Sequence, residues 1–339
     1  MTARLRNCGY VAIGLIAFIA TSALIHSLLP PMIPKGIAAK LEYFTEHKDE
    51  FDTVIVGTSR LYYAASPQIF DATTREKGLP TRTFNFGIDA MHPPENFYVL
   101  DQILRTKPRN LKWVLLELGE VSARWHDILG TQRAVYWHDW PRTEMTVKKA
   151  LDPRGNAKWY IQVTRLWLAR RDLAWNLGLF GKQFANVGRV ADLLPAAGQE
   201  RFADSAVELG PGGDGYRIAG EAMSAERAVS YQQRLAREIS QARRKSLDRV
   251  TDQSYGDAAA RIRAAGAKPI FVVTPVIFQS PLQFRQSPPA PIIAFNDAGR
   301  FPEYYDSKAR VDESHLVREA AEKFTIALAR EFVRQAAQP

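Results

Sequence analysis

Three residues in this 339-residue chain could together activate a hydroxyl for attack on an acyl carbon: Ser59, Asp312 and His315. A serine hydroxyl is a poor nucleophile until a base removes its proton. Histidine is the usual base, and a carboxylate holds it in the required tautomer. Asp312 and His315 are close enough in sequence to meet within one turn. Ser59 lies far upstream, so the fold must join it to that pair.

The elements around these residues suit that task. Thr53-Val54-Ile55-Val56 reads as a buried strand and stops at Gly57-Thr58-Ser59. A small-residue turn after a strand places Ser59 at the carboxyl end of a sheet, where open α/β folds hold their ligands. Ser66-Pro67 opens a helix that ends near Gly78, and Thr83-Phe84-Asn85-Phe86 is a second strand ending at Gly87. Pro93-Pro94 precedes a helix with apolar spacing at Phe97, Leu100, Ile103 and Leu104. Leu111 to Leu118 is a third strand, apolar enough to be buried on both faces. Strand–helix alternation predicts a parallel sheet covered by helices.

That rhythm lapses over about 119–252, which reads as a mostly helical insertion. It resumes with the strand Pro269–Val273 and closes with an amphipathic helix from Arg318 to Ala336. Two similar triplets, Trp125-His126-Asp127 and Trp137-His138-Asp139, fall in the insertion. They lack the converging pair spacing of a zinc site, so no metal is expected. Their tryptophans suit core packing first, with sugar stacking or a membrane interface as the other readings.

Upstream, Arg4 and Arg6 precede an uncharged run from Gly9 to Leu29 that ends at Pro30-Pro31. Its length suits one membrane-spanning helix, and the preceding positive charge predicts an N-terminus in the cytoplasm with the body exported. Ala20-Thr21-Ser22-Ala23 would suit a cleaved signal peptide. The apolar run continues past it through Leu24-Ile25 to Leu28-Leu29, which favours an anchor. The expected organisation is an anchor over 1–30, a polar, partly helical connector over 31–50 and an α/β domain over 51–339 carrying the insertion.

Composition narrows the partners. Lys and Arg number 45 against 36 Asp and Glu, a net charge of +9, but the arginines are scattered. No zinc-finger, Walker or RNP-like pattern is present, so nucleic acid is not expected as a partner. The single cysteine, Cys8, cannot form an internal disulfide.

At three blocks the sequence resembles the SGNH (GDSL-like) hydrolase superfamily: Gly57-Thr58-Ser59, Asn85-Phe86-Gly87 and Asp312-Glu313-Ser314-His315. More narrowly, it is similar to membrane-anchored, exported SGNH-like proteins of bacterial polysaccharide O-acetylation, the alginate type being best known. The resemblance covers about 51–118 and 269–336. It implies a flavodoxin-like three-layer sandwich with a parallel sheet and no cofactor. It also implies Ser59 as acyl-carrying nucleophile, His315 as base and then acid, Asp312 as its orienting partner, and the N–H groups of Ser59 and Gly87 as oxyanion donors. The family supplies an Asn after the third strand, whereas this chain has Leu118-Gly119-Glu120-Val121-Ser122. Asn85, Asn96 and Ser122 are the candidate substitutes. Arg60 is either a substrate-anion contact or half of a structural ion pair.

The implied activity is acyl transfer or ester cleavage on cell-envelope or exported polysaccharide, O-acetyltransferase and acetylesterase sharing one acyl-enzyme. The implied setting is the inner membrane of a bacterium, with the catalytic part in the periplasm and a membrane acyl-donor protein as a possible partner. The competing reading is a polysaccharide-binding or scaffold subunit with weak catalysis. A third is a structural envelope protein working through the inserted helices.

Overall fold

A computed structural model describes residues 3–29, 32–33, 35–124, 130–152, 159–187 and 208–337. The chain divides into two compact units that do not follow chain order: Met1–Lys35 with Ala123–Phe202, and Gly36–Ser122 with Ala203–Pro339.

The larger unit is α/β. Its sheet contains β1 (Thr53–Thr58), β2 (Thr83–Ile88), β3 (Trp113–Glu117), β5 (Lys268–Val273) and β7 (Ile292–Ala294) in the order β2-β1-β3-β5-β7. Every pairing in it is parallel, with Gly57 opposite Gly87 and Ile55 opposite Leu115. The two-residue strands β4 (Lys245–Ser246) and β6 (Leu282–Gln283) pair separately. β7 follows nine residues after β6.

Both faces are apolar because helices cover both. On one face Ile55, Leu115, Ile270, Val272 and Ile293 meet Phe324, Leu328 and Phe332 of α11 (Arg318–Ala336). The short helix α3 (Ser59–Ala64), α4 (Pro67–Glu76) and α9 (Ala225–Ser240) complete that layer through Leu61, Phe70, Tyr231 and Leu235. On the other face α5 (Glu95–Arg105) and α10 (Arg249–Ala264) pack through Phe97 and Tyr255. The Tyr255 ring lies 5.0 Å from Phe97 and 5.1 Å from Phe271.

The 31–50 stretch is more than a connector. It forms α2 (Lys35–His47), whose Ile37, Lys40, Leu41 and Phe44 share one face by helical spacing and are buried. Phe44 packs edge-on against Phe86 at 5.1 Å. Lys40 is wholly buried and serves the edge of the sheet. Its ammonium donates to the carbonyls of Asn85 (3.2 Å), Gly87 (2.6 Å) and Gly215 (2.7 Å), under the Tyr62 ring at 3.7 Å. The outward N–H groups of β2 are met as well: Thr83 donates to Asp71 Oδ2 at 3.0 Å and Asn85 to the Asp214 carbonyl at 2.9 Å. Gly87 donates to the Asn85 side chain at 2.6 Å. An edge strand presents a row of unpaired groups, and here each of these has a partner.

The smaller unit contains α1 (Ala3–Leu28), α6 (Gln132–Tyr136), α7 (Trp140–Leu151) and α8 (Trp159–Phe184). Within α1, Arg6–Leu28 is long and apolar enough to cross a membrane, and almost none of it is buried by protein.

Candidate active site

β1 is buried throughout, so its end is fixed by the core. Gly57 is required there: a Cβ would sit 2.6 Å from Glu117 Oε2 and 2.6 Å from Leu61 Cδ1. Thr58 then caps α3, its hydroxyl accepting from the Arg60 N–H at 3.2 Å. Ser59 is the first residue of that helix, so its hydroxyl emerges at the carboxyl end of the sheet.

His315 arrives from the other end of the chain. Its Nε2 accepts from the Ser59 hydroxyl at 2.8 Å, and its Nδ1–H donates to Asp312 Oδ2 at 2.8 Å. The second oxygen, Asp312 Oδ1, accepts the backbone N–H groups of Ser314 (2.7 Å) and His315 (2.9 Å). Partial burial would raise the Asp312 carboxyl. The His315 ring and these N–H groups outweigh it and hold the carboxyl at about 2. The carboxylate therefore stays charged beside the imidazole, as an orienting partner must.

Two buried devices hold the loop in place. Arg310 is fully buried and donates to the carbonyls of Tyr304 (2.7 Å), Pro275 (2.8 Å) and Glu313 (3.2 Å), tying the segment after β5 to the loop of His315. Val311 N–H donates to the His315 carbonyl at 3.0 Å. Thr325 of α11 is the second: its hydroxyl donates to the Ala64 carbonyl (2.6 Å) and accepts from Ser66 N–H (3.2 Å). The helix that follows His315 is thus clamped to the end of the helix that begins with Ser59.

The floor of the turn is Glu117, 3% exposed, at the end of β3. It accepts from Thr58 N–H at 2.6 Å and Thr274 Oγ1 at 3.1 Å, and pairs with Arg60 Nε at 2.8 Å. Arg60 Nε also reaches Thr58 Oγ1 at 3.1 Å. Arg60 is therefore an ion-pair partner of the turn. Tyr63 flanks the imidazole edge-on at 5.4 Å and donates to Asp89 Oδ2 at 2.8 Å. Burial, then the Asp89 bond, push its hydroxyl well above the usual tyrosine range, so it remains a donor.

The structure brings Ser59, His315 and Asp312 together and places other expected residues elsewhere. The Gly87 N–H does not point to an open site, because the Asn85 Oδ1 occupies it. Gly87 is needed for close approach instead: a Cβ would lie 2.4 Å from Tyr62 N. Asn85 is fully buried and its Nδ2 donates to the carbonyls of Leu61 (2.9 Å) and Ala65 (2.7 Å), so it secures α3 rather than an oxyanion. Asn96 is buried on α5 beside Tyr255, with no bond to the Ser59–His315–Asp312 chain; its Oδ1 has no hydrogen-bond partner.

Glu117, Arg310, Thr325 and Tyr63 carry the arrangement without having stood out in the sequence. Of the two Trp-His-Asp triplets, residues 125–127 lie outside the described residues. In the other, His138 is buried between the Ala134 carbonyl (2.6 Å) and Asn176 Oδ1 (2.8 Å), and Asp139 caps α7. Among the described residues no group of His, Cys, Asp and Glu could hold a metal. No protein-family model matches the chain, and no curated protein sequence matches it.

Proposed function

We propose that this chain is an SGNH-like acyl-transfer enzyme, anchored by α1 with its α/β unit outside the cytoplasmic membrane, acting on cell-envelope or exported polysaccharide through acyl-Ser59. The observation that carries this reading is the unbroken chain from Ser59 Oγ to His315 Nε2 to Asp312, each link 2.8 Å. The sheet order β2-β1-β3-β5-β7 is that of the flavodoxin-like doubly wound arrangement, which supports the three-layer SGNH fold.

In the first half-reaction Ser59 Oγ adds to the acyl carbonyl while His315 Nε2 takes the hydroxyl proton. The tetrahedral intermediate collapses, and the departing alcohol oxygen leaves with that proton. Acyl-Ser59 remains. In the second half-reaction His315 deprotonates the acceptor, water or a sugar hydroxyl, which takes the acyl group and restores Ser59. The Ser59 N–H is an oxyanion donor in this scheme. Such a donor contributes ~10²–10³ in rate.

A fluorophosphonate probe tests the assignment. It labels wild-type protein at Ser59 and leaves Ser59→Ala unlabelled; equal labelling of both refutes it. The engagement of Gly87 N–H by Asn85 favours a second reading, a weakly catalytic polysaccharide-binding or scaffold subunit. That reading requires saccharide binding indifferent to Ser59→Ala and no acyl-enzyme by mass spectrometry.

A further inference from the structure

The smaller unit has an exposed apolar helix face that the chemistry above does not use. One side of α8 is packed, with Asn176 buried and Leu179 set against Ala134 and Val135. The other side carries Trp167, Arg170, Ala174, Leu177, Gly178 and Gly181, all exposed and recurring at helical spacing. Leu166 at its border is 73% exposed, Trp167 62% and Leu177 49%. An exposed face that is apolar apart from Arg170 marks an interaction surface.

What covers it follows from where α8 ends. The Phe184 ring meets Phe18 of α1 at 6.2 Å and His26 at 6.1 Å. The Ser22 hydroxyl donates to the Phe184 carbonyl, and Asn186 Nδ2 donates to Ser22 Oγ at 3.1 Å. Phe18 and Ser22 lie inside the apolar span Arg6–Leu28. At ~1.5 Å per residue Phe18 is about 15 Å along the helix from Leu28. The last turn of α8 therefore shares the surroundings of that span. An aromatic file continues outward, from Phe184 to Phe180 (6.1 Å) to Trp140 of α7 (5.5 Å), and Trp140 is itself exposed.

We propose that α7 and α8 lie along the membrane surface, with the exposed face of α8 seated at the headgroup–acyl boundary, its last turn dipping toward the depth of Phe18, and Trp140 and Trp167 in the interfacial zone. Tryptophan favours that zone, and an amphipathic helix with basic flanks binds anionic lipid there. Arg171 and Lys182 supply the basic flank and Arg170 interrupts the exposed face itself, while the Asp172 carboxylate lies against Arg171 at 3.1 Å. The proposal rests on the anchor part of the function proposed above, and not on its acyl chemistry.

The test uses the full chain with Cys8→Ser, reconstituted into vesicles of phosphatidylethanolamine and phosphatidylglycerol. Nitroxide labels are placed singly at Trp167→Cys, Ala174→Cys and Leu177→Cys. Ile16→Cys in α1 and Ala236→Cys in α9 serve as references. Collision with dissolved oxygen should exceed collision with an aqueous nickel chelate at 167, 174 and 177, as at 16, and the order should reverse at 236. Nickel-dominated collision at the α8 positions would overturn the proposal, since the face would be in water. Low collision with both reagents would overturn it too, since protein would cover the face. A nickel-dominated Ile16 label would instead remove the anchor itself, and the lipid seat with it.

Discussion

Asp312 does two jobs with two oxygens: one holds the imidazole and the other fixes the turn that delivers it. Asp312→Asn keeps the shape but invites the wrong tautomer of His315. The rate of Ser59 labelling should fall by on the order of 10³–10⁴, with the circular dichroism spectrum unchanged. Because the folded carboxyl is held at about 2, below its ordinary 3.8, the loop is favoured above 3.8 and loses that support as pH falls toward 2. Glu117 is the other decisive residue. Glu117→Gln turns an amide toward Arg60 Nε and leaves two donors facing each other. It should cost about 1–3 kcal/mol in urea denaturation, less than the ~3–5 of a fully buried pair because Arg60 is partly exposed. A double-mutant cycle with Arg60→Gln should be non-additive. Ser59, Asp312 and His315 are legible in the sequence because their types announce chemistry and their strand and turn context places them. Glu117 is not, since a glutamate closing an apolar strand reads as the first solvated residue. Arg310 is hidden for a related reason: its acceptors are backbone carbonyls of Pro275, Tyr304 and Glu313, which leave no trace in residue type.

Among the elements, α11 decides whether the distant parts of the site meet. Its apolar face packs on the sheet through Phe324, Leu328 and Phe332, and Thr325 ties it to the exit of α3 and the entry of α4. Thr325→Val removes the hydroxyl and leaves the Ala64 carbonyl and Ser66 N–H without that partner. Thermal and urea denaturation should show a loss of about 1–3 kcal/mol. Labelling of Ser59 should slow further than that loss explains, because the Ser59–His315 contact depends on this clamp. The alternation of strands and helices is plain in the sequence for β1, β2, β3, β5 and α11, where periodicity and Gly or Pro boundaries agree. It fails for β7, three residues long and preceded by Pro289-Ala290-Pro291, while in α2 charged residues mask the spacing of Ile37, Leu41 and Phe44 that buries one face.

For the molecule as a whole, the buried Lys40 gives stability a pH signature. Burial drives its ammonium well below the ordinary 10.5, against the opposing fields of Glu208, Asp89 and Asp214. In that window the unfolded chain binds the proton more readily than the folded one. Folding stability therefore rises with pH through the window and is complete above 10.5. Lys40→Met strips three carbonyls of their donor, costs about 1–3 kcal/mol at neutral pH, and abolishes that rise. The gap between wild type and variant should widen in urea titrations run at increasing pH.

The same lysine, with Asp71, Asp214 and the Asn85 amide, occupies the outward N–H groups of Thr83, Asn85 and Gly87 and the carbonyls of Asn85 and Gly87, which an incoming strand would need. A neighbouring polypeptide cannot lengthen the sheet on that flank without first displacing a buried cation. Self-association, where it occurs, is steered away from fibre-like growth on that side and toward contact between helices.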